Sequence, residues 1–518
     1  MAGADDKHPI LSKFPVVLAF FLPTGLHGVR LWMSPAAIDR GGAFGEEGPE
    51  RAAAPYLIVR PETMAKEQDM IRKKSVEGRS RTTGTIKVWC RSLGCPKNRV
   101  DTEKLMGQLG SSVCLTESIR SADLIFINTC AFIEPAVRES LQTILSVAEE
   151  RDKARRKRPL LAVAGCLAGR YPIDELATGM PEVDLWLVPN EREHWAEYIQ
   201  KRLFREDEPG QRLVSTLPSY AYLKVSEGCR HRCAFCTIPS IRGPLHSAPQ
   251  DELIAEARYL AGNGVRELVL IAQDLTDYAQ EHGPDAQAFP SLLHRLGEIE
   301  GIDWLRMLYL YPRGITSELL QTVKDVDALL PYFDIPLQHS HPDILRQMGR
   351  PFSVDARKIC GDIRDALPEA ALRTTFIVGY PGETDEHFQH LCNFVEEMRF
   401  TQLGVFTFWP EEGTVAASLP NQVENAVKEE RRAHLMQLQQ DISRELLEEQ
   451  VGSVQKVLVD SVNPEWPGLH NGRVWFQAPD VDGICYVSGP GVEPGAMVEA
   501  DIVESSEYDL TALTPEQD

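Results

Sequence analysis

Between residues 86 and 201, short apolar runs alternate with longer amphipathic segments. Runs of four to seven apolar residues are typical of buried strands, and the segments between them of helices. Such alternation predicts a parallel sheet with helices on both faces, that is, a doubly wound α/β domain. The predicted strands are Lys87–Leu93, Leu124–Asn128, Leu160–Ala164 and Leu185–Val188.

A second alternating series occupies residues 215 to 450, after a polar link near 205–211. Six strands separated by helix-length segments predict a partial (β/α)6 barrel, whose ligands bind at the carboxyl ends of the strands. A charged helical stretch from Val423 to Gln450 closes the series. The predicted strands are Tyr222–Ser226, Glu267–Ala272, Trp304–Tyr309, Tyr332–Leu337, Leu372–Val378 and Leu403–Phe408.

Residues 451 to 518 change pattern again, to short β-rich segments separated by Gly and Pro. This pattern predicts a small β-barrel. The predicted strands are Val454–Asp460, Gly472–Phe476, Ile484–Val487 and Met497–Ile502.

Residues 1 to 84 show neither pattern and are interpreted as a disordered or misannotated leader, with a true start near Met64 or Met70. A processed targeting segment is the alternative. The apolar part of this leader, Phe14–Leu22, is far shorter than the ~20 residues that span a membrane, so no membrane association is expected.

The composition of the 518 residues is that of a globular protein, with 43% hydrophobic and 25% charged residues. A net charge of −22 is the wrong sign for a protein that binds phosphate backbones, and favours a basic partner. Eleven cysteines are too dilute for a disulfide framework, which predicts a cytoplasmic protein with metal or redox chemistry. The basic run from Arg151 to Arg158 is interpreted as a solvated loop, with a nucleic-acid contact as the alternative.

Three cysteines follow the first strand of the second series, at Cys229, Cys233 and Cys236. Three thiolates on one short loop can hold a cubane iron–sulfur cluster and leave its fourth iron open. The alternative is a zinc knuckle in which His231 or a remote residue supplies the fourth ligand.

Three further cysteines are far apart in sequence, but each lies just past the carboxyl end of a predicted strand: Cys95, Cys130 and Cys166. The ends of parallel strands form one crevice, so these side chains can meet there. Ordinary buried thiols are the alternative. The remaining five cysteines are interpreted as small apolar fillers: Cys90, Cys114, Cys360, Cys392 and Cys485.

The spacing Cys-x3-Cys-x-Phe-Cys after the first strand of a six-fold β/α series resembles the radical S-adenosylmethionine (SAM) superfamily. The resemblance implies a [4Fe-4S] cluster on Cys229, Cys233 and Cys236, with SAM on its open iron and Phe235 against the cofactor. The turn containing Gly379 resembles the glycine turn near the adenosyl group. A core role for Phe235 and a plain Pro-Gly turn are the alternatives.

Together with the dispersed cysteines and a terminal barrel of the TRAM type, the chain from Ile86 onward resembles the methylthiotransferases. The resemblance implies a second [4Fe-4S] cluster on Cys95, Cys130 and Cys166, which carries the sulfur to be inserted. One branch of that family modifies an adenosine of transfer RNA. The other, the RimO type, modifies an aspartate of ribosomal protein twelve of the small subunit.

The charge of the terminal segment favours the protein-modifying branch. Residues 451 to 518 contain twelve acidic residues against Lys456 and Arg473, which suits a basic ribosomal protein better than RNA. An acidic surface that only confers solubility is the alternative. The stretches Leu93–Asn98, Gly228–Gly243 and Asp334–His339 also resemble the RimO branch more closely.

The RimO resemblance implies that an adenosyl radical removes hydrogen from the β-carbon of the aspartate, which then receives a methylthio group. One SAM supplies the methyl group and another the radical, and an electron donor of unidentified kind is a required partner. Gln338 and His339 are predicted to line the pocket. Transfer-RNA modification is the alternative enzyme, and a metal-stapled binding module is the alternative without catalysis.

Overall fold

The computed structural model describes residues 84–154, 158–205, 207–283, 285, 287–350 and 355–515. The predicted leader therefore lies outside the described residues, apart from Gly84. Three sheets carry the fold, and they follow one another along the chain as the sequence predicts. Within the described ranges, no helix combines the length and hydropathy needed to cross a bilayer.

The amino-terminal sheet has five parallel strands in the order β2-β1-β3-β4-β5. Separate apolar cores lie on its two faces, one under the long helix α2 and the other under α1 and α5, so the predicted doubly wound arrangement is confirmed. The elements are β1 (Ile86–Ser92), α1 (Pro96–Gln108), β2 (Val113–Leu115), β3 (Leu124–Thr129), α2 (Glu134–Asp152), β4 (Leu160–Gly165), α3 (Cys166–Arg170), α4 (Ile173–Gly179), β5 (Leu185–Leu187) and α5 (Trp195–Leu203).

In this region one strand was missed and two sequence interpretations are wrong. The edge strand β2 was not predicted, because it has three residues, two of them exposed, and so lacks a buried apolar run. Cys114 lies in that strand and is exposed, so it does not fill a core. The basic run is not simply a solvated loop either: Arg151 is buried and donates to Asp184 Oδ2 at 2.8 Å, while residues 155–157 lie outside the described ranges.

The central sheet has six parallel strands in the order β13-β12-β11-β10-β9-β6 and stays open, which confirms the partial barrel. Alternate residues of each strand face the outer helices or the inner side, as Leu223 and Tyr222 do in β6. The elements are β6 (Tyr220–Lys224), β7 (Ser226–Glu227), α6 (Ile238–Arg242), β8 (His246–Ser247), α7 (Gln250–Gly262), β9 (Glu267–Ile271), α8 (Ala288–Gly297), β10 (Trp304–Met307), α9 (Ser317–Asp325), β11 (Leu329–Gln338), α10 (Pro342–Gln347), α11 (Ala356–Ala366), β12 (Ala371–Val378), α12 (Asp385–Met398), β13 (Gln402–Thr407) and α13 (Asn425–Glu448).

The terminal segment forms a closed five-stranded barrel, as predicted, but with one strand more than the sequence indicated. The additional strand β18 has four residues and alternates Leu, Thr, Ala and Leu, a pattern too short to stand out. The strands are β14 (Val454–Val462), β15 (His470–Val474), β16 (Cys485–Ser488), β17 (Met497–Ser505) and β18 (Leu510–Leu513).

This terminal barrel packs against the amino-terminal part of the central strands. Arg473 bonds Glu267, the first residue of β9, and Arg306 of β10 donates to the carbonyl oxygen of Trp475 at 2.7 Å. Both arginines are buried, so each charge is held by partners rather than by water. The barrel thus occupies the end of the central sheet opposite to the strand ends that precede the cysteine loop.

Candidate active site

The structure brings the three dispersed cysteines together at the carboxyl edge of the amino-terminal sheet. Cys95 is the N-cap of α1, Cys130 follows β3, and Cys166 begins α3. A Cβ added to Gly94 would lie 2.6 Å from Cβ and 2.7 Å from Sγ of Cys130, so the first two loops touch. The backbone of Gly94 can approach this closely because it has no side chain and adopts a φ of +79°.

The second and third of these loops are joined by one threonine. Thr129 donates to the carbonyl oxygen of Ala164 at 2.6 Å, and its hydroxyl accepts a hydrogen bond from the backbone of Leu167 at 3.2 Å. These bonds hold the residues before Cys130 and around Cys166 side by side. We name Cys95, Cys130 and Cys166 the assembled group.

Burial and mutual proximity set the electrostatics of the assembled group. Burial, together with smaller contributions from the neighbouring Cys166 and Cys95, raises the pKa of Cys130 to about 12. Burial likewise raises the pKa of Cys166, against the opposing effect of Arg242. The pKa values of Cys130 and Cys166 therefore respond to the charge of their neighbouring thiols as well as to burial.

The other three cysteines occupy the loop between β7 and α6. The backbone N–H of Cys229 donates to Gly243 at 3.2 Å, and that of Ala234 donates to Met348 at 2.9 Å. Burial raises the pKa of Cys229 to about 11 and of Cys236 to about 12, with the neighbouring thiols adding to the shift. We name Cys229, Cys233 and Cys236 the loop group.

The two groups adjoin across the seam between the amino-terminal and central sheets. Thr237, next to Cys236, donates to the carbonyl oxygen of Phe132, two residues after Cys130, at 3.2 Å. Arg242 donates to Cys166 Sγ at 3.3 Å. Direct bonds from one cysteine-bearing segment to the other place both groups at one site.

Glu411 stabilises this seam from the side of the central sheet. Its carboxylate accepts hydrogen bonds from the backbone N–H of Glu134 at 2.8 Å and from Arg170 at 2.7 Å. Glu134 begins the helix after Cys130, and Arg170 ends the helix that Cys166 begins. One buried carboxylate therefore fixes two of the three segments of the assembled group.

A buried network of charges lies beneath the assembled group. Asp101 of α1 and Glu227 of β7 both bond Arg242 and Lys224, so the network crosses the seam. Burial alone would raise the pKa of Glu227, but Lys224 and Arg242 hold it well below its usual range. The carboxylate of Glu227 therefore stays ionised and helps to keep the two cations in place.

Phe235 and Gly379 lie near the loop group, and packing contacts explain why each position has this residue type. Phe235 is part-buried and packs against the cluster that contains Ile344, Met348 and Tyr380. Gly379 has a φ of +70°, and a Cβ there would collide with the Lys428 side chain. Contact of either residue with SAM remains a prediction.

Gln338 ends β11 and His339 follows it, where the sequence predicted a pocket lining. Gln338 has a φ of +72°, a strained conformation for a residue with a side chain. His339 is fully buried, its Nδ1 accepts from the backbone of His341 at 2.9 Å, and burial lowers its pKa well below the usual value. Among the described residues its Nε2 has no hydrogen-bond partner, so this buried nitrogen near the end of the strand is available to bind another group.

The donor set fits iron–sulfur clusters better than zinc. Each group offers three soft thiolates, which is one ligand short of a closed zinc site and suits a cubane with an open iron. His231, the candidate fourth zinc ligand, is bonded through Nε2 to Asp274 at 2.6 Å, and its ring stacks on Tyr311. The residues present therefore fit two [4Fe-4S] clusters.

Sequence reasoning missed Arg242 and Glu411. Arg242 stands within the motif Ile-Pro-Ser-Ile-Arg-Gly, where a charge in an apolar stretch after a cysteine loop was an available signal. Glu411 lies in a Pro-Glu-Glu-Gly turn that looks like any exposed loop. Its role depends on packing between segments about 240 residues apart along the chain and carries no local signal.

Comparison with known proteins agrees with this architecture. Residues 87–188 match the family described as "Uncharacterized protein family UPF0004", residues 223–395 the radical SAM superfamily, and residues 451–514 the TRAM domain. A relative from Nitratidesulfovibrio vulgaris (strain DP4), named ribosomal protein uS12 methylthiotransferase RimO, is 57% identical over 83% of this chain and 100% of its own length.

Relatives of the same name extend to more distant bacteria. The protein from Oleidesulfovibrio alaskensis is 54% identical over 83% of this chain and 100% of its own length. The protein from Bdellovibrio bacteriovorus is 40% identical over 83% of this chain and 97% of its own length. The matches therefore span nearly the entire length of both relatives.

Proposed function

Because this chain belongs to the RimO family of radical SAM methylthiotransferases, whose enzymes use SAM and two [4Fe-4S] clusters, we propose that it methylthiolates ribosomal protein uS12. The target atom is the β-carbon of an aspartate, and the reaction takes place in the cytoplasm. With its clusters and SAM bound, the site gains the one-electron chemistry that attacks an unactivated C–H bond, and a source of sulfur.

The observation that supports this proposal best is the junction of the two cysteine groups. The hydrogen bond from Thr237 to Phe132 joins residues that neighbour Cys236 and Cys130. A reaction that generates a carbon radical at one centre and delivers sulfur from another needs both centres at one pocket. We assign the assembled group as ligands of one cluster and the loop group as ligands of the other.

The other residues of the site hold this geometry. Glu411 fixes the segments of Cys130 and Cys166 against the central sheet, and the buried charges around Glu227 hold the loop group against α1. Buried ion pairs with satisfied hydrogen bonds are costly to open, so the two centres keep their separation during turnover.

Charge on the terminal barrel supports a protein substrate, although fewer carboxylates face solvent than the sequence count suggested. Asp460 and Asp482 are held by Arg473 and Tyr332, and Asp480 bonds the tyrosines of β6. Among the described residues of this segment, seven acidic residues are exposed, against Lys456 as the exposed basic residue: Glu465, Asp480, Glu493, Glu499, Asp501, Glu504 and Glu507. A surface of this sign repels RNA and attracts a basic ribosomal protein.

The decisive experiment is mass spectrometry of uS12 and of transfer RNA from cells with and without the gene. We expect uS12 to lose the mass of one methylthio group when the gene is deleted and to regain it on complementation. Loss of methylthio from transfer RNA alone, with uS12 unchanged, would show the alternative substrate to be correct.

Iron analysis tests the assigned ligands separately from the substrate. Protein reconstituted without oxygen should bind about eight irons, the content of two cubanes. Alanine at all three positions of either group should remove about four. Stoichiometric zinc with no iron would instead favour a metal-stapled binding module.

A further inference from the structure

Arg242 links the two cysteine groups through a direct contact with sulfur. It ends α6, the short helix that follows the loop group, yet its Nη2 lies 3.3 Å from Sγ of Cys166 in the assembled group. The same nitrogen donates to Asn98 Oδ1, and Nη1 donates to Asp101 at 3.1 Å and to Glu227 at 3.2 Å. The side chain is only 2% exposed, so water does not compete for these bonds.

The surroundings of Arg242 contain more positive than negative charge. Asp101 and Glu227 are shared among Arg242, Lys224 and Arg192. Lys97, two residues after Cys95, is also buried, and its Nζ donates to the carbonyl oxygen of Ala272 at 3.0 Å. Buried cations need anionic partners, and the thiolates of the assembled group can provide them.

We propose that Arg242 raises the reduction potential of the cluster held by Cys95, Cys130 and Cys166. This inference rests on the ligand assignment of the proposed function. A reduced cluster carries one more negative charge than an oxidised one, so a buried cation that donates N–H to a ligating sulfur stabilises the reduced form more. One cluster is thereby tuned by a residue of the segment that holds the other.

Arg242 also ties α1 to the central sheet through Asn98 and Asp101, so tuning must be distinguished from a purely structural role. Lys224 offers a matched control. It is also buried and bonds the same carboxylates, Asp101 and Glu227, but its described hydrogen bonds reach no sulfur. A structural role predicts similar effects at both positions, whereas tuning through sulfur predicts an effect at Arg242 alone.

The test is a redox titration of the full-length reconstituted protein, followed by electron paramagnetic resonance. The cluster on the loop group is recognised by the change of its signal when SAM is added, and it serves as an internal reference. We expect Arg242→Gln to shift the reduction equilibrium of the other cluster about tenfold or more toward the oxidised form, about 59 mV for a one-electron couple. Lys224→Gln should shift it less than about threefold, roughly 28 mV by the same relation.

An unchanged equilibrium in Arg242→Gln, an equal shift in Lys224→Gln, or an equal shift of both clusters would each overturn the inference. If Arg242→Gln does not retain iron, the native protein labelled with 15N-arginine takes its place. Electron spin echo spectroscopy should then detect an arginine nitrogen coupled to the reduced cluster of the assembled group, and no coupling would overturn the inference. If the native protein lacks this second cluster altogether, the ligand assignment fails first and this inference with it.

Discussion

Each of the two cysteine groups offers three thiol sulfurs, but the two groups are built in different ways. The loop group lies within eight residues of one segment, from Cys229 to Cys236. The assembled group comes from three segments, and the registers of the strands bring these to one edge. Ser92 pairs with Asn128 between β1 and β3, and Asn128 pairs with Ala164 between β3 and β4.

Because they are built differently, the two sites are sensitive to substitutions in different parts of the chain. A local loop depends on its own turns and on the few residues that anchor it. An assembled site depends on every strand register beneath it, because a shift of one residue would point a side chain to the other face of the sheet. We therefore expect the assembled group to respond to changes far from its sulfurs and the loop group to respond only to near ones.

The largest expected effect comes from the glycines that precede each group. Gly94→Ala would place a methyl group against Cys130, and Gly228→Ala would place one against the carbonyl oxygen of Pro244. We expect the first variant to lose about four irons from the assembled group and the second about four from the loop group, each with loss of activity on uS12. Iron analysis and the SAM-dependent magnetic resonance signal distinguish the two losses.

The matched control for both variants is Gly264→Ala. Gly264 also has a positive φ, +90°, but no atom lies within 4 Å of an added Cβ. This substitution imposes only the backbone cost, roughly 1–2 kcal/mol, and should keep all of the iron. If Gly264→Ala lost iron as readily, backbone strain rather than collision at the sulfurs would explain the result.

A smaller effect is expected from Glu411→Gln, which tests whether the assembled group responds to a change distant from its sulfur atoms. The Arg170–Glu411 pair is buried on both sides, and removing one partner of such a pair costs about 3–5 kcal/mol. Because the described hydrogen bonds of the Glu411 side chain go to Glu134 and Arg170, in segments of the assembled group, that cluster should be released at lower urea concentration while the other is retained longer. Visible absorbance during urea titration measures this, and Glu412→Gln at the exposed neighbouring position should behave as the native protein.

A pH-dependent effect is expected at Glu227, which bonds the cations on the seam. Its pKa in the folded protein lies below the unfolded value of about 4.3, so the stability it contributes is complete above that pH and is lost as the pH falls. Urea unfolding of the apo-protein from pH 6 to pH 3 should show a shallower decline in Glu227→Gln than in the native chain. Parallel slopes would show that this carboxyl does not hold the seam.

The smallest effect is expected at a cysteine outside both groups. Cys114 is exposed on the edge strand β2, so Cys114→Ser should leave the iron content unchanged and alter stability by no more than about 0.5 kcal/mol. Iron analysis and thermal unfolding provide the measurement. A loss of iron here would mean that thiols outside the two groups take part in binding.

The three architectures and the chemistry of the site could be recognised from the sequence alone. Buried strands such as Leu124–Thr129 begin with several consecutive apolar residues, and the cysteines follow them or stand at fixed spacing, so both can be recognised locally. The strands β2 and β18 were missed, because β2 is largely exposed and β18 has a polar residue among its four positions, so neither forms a buried apolar run.

Which side chains meet at the seam depends on tertiary packing and not on a local sequence pattern. Arg242 reaches Cys166 across 76 residues of sequence, and Glu411 reaches Arg170 across 241. Such contacts depend on how the sheets pack against each other, and a single sequence carries no periodic or compositional signal of that packing. The ligands could therefore be recognised from the chain, whereas the residues that position and tune them became visible only in the folded protein.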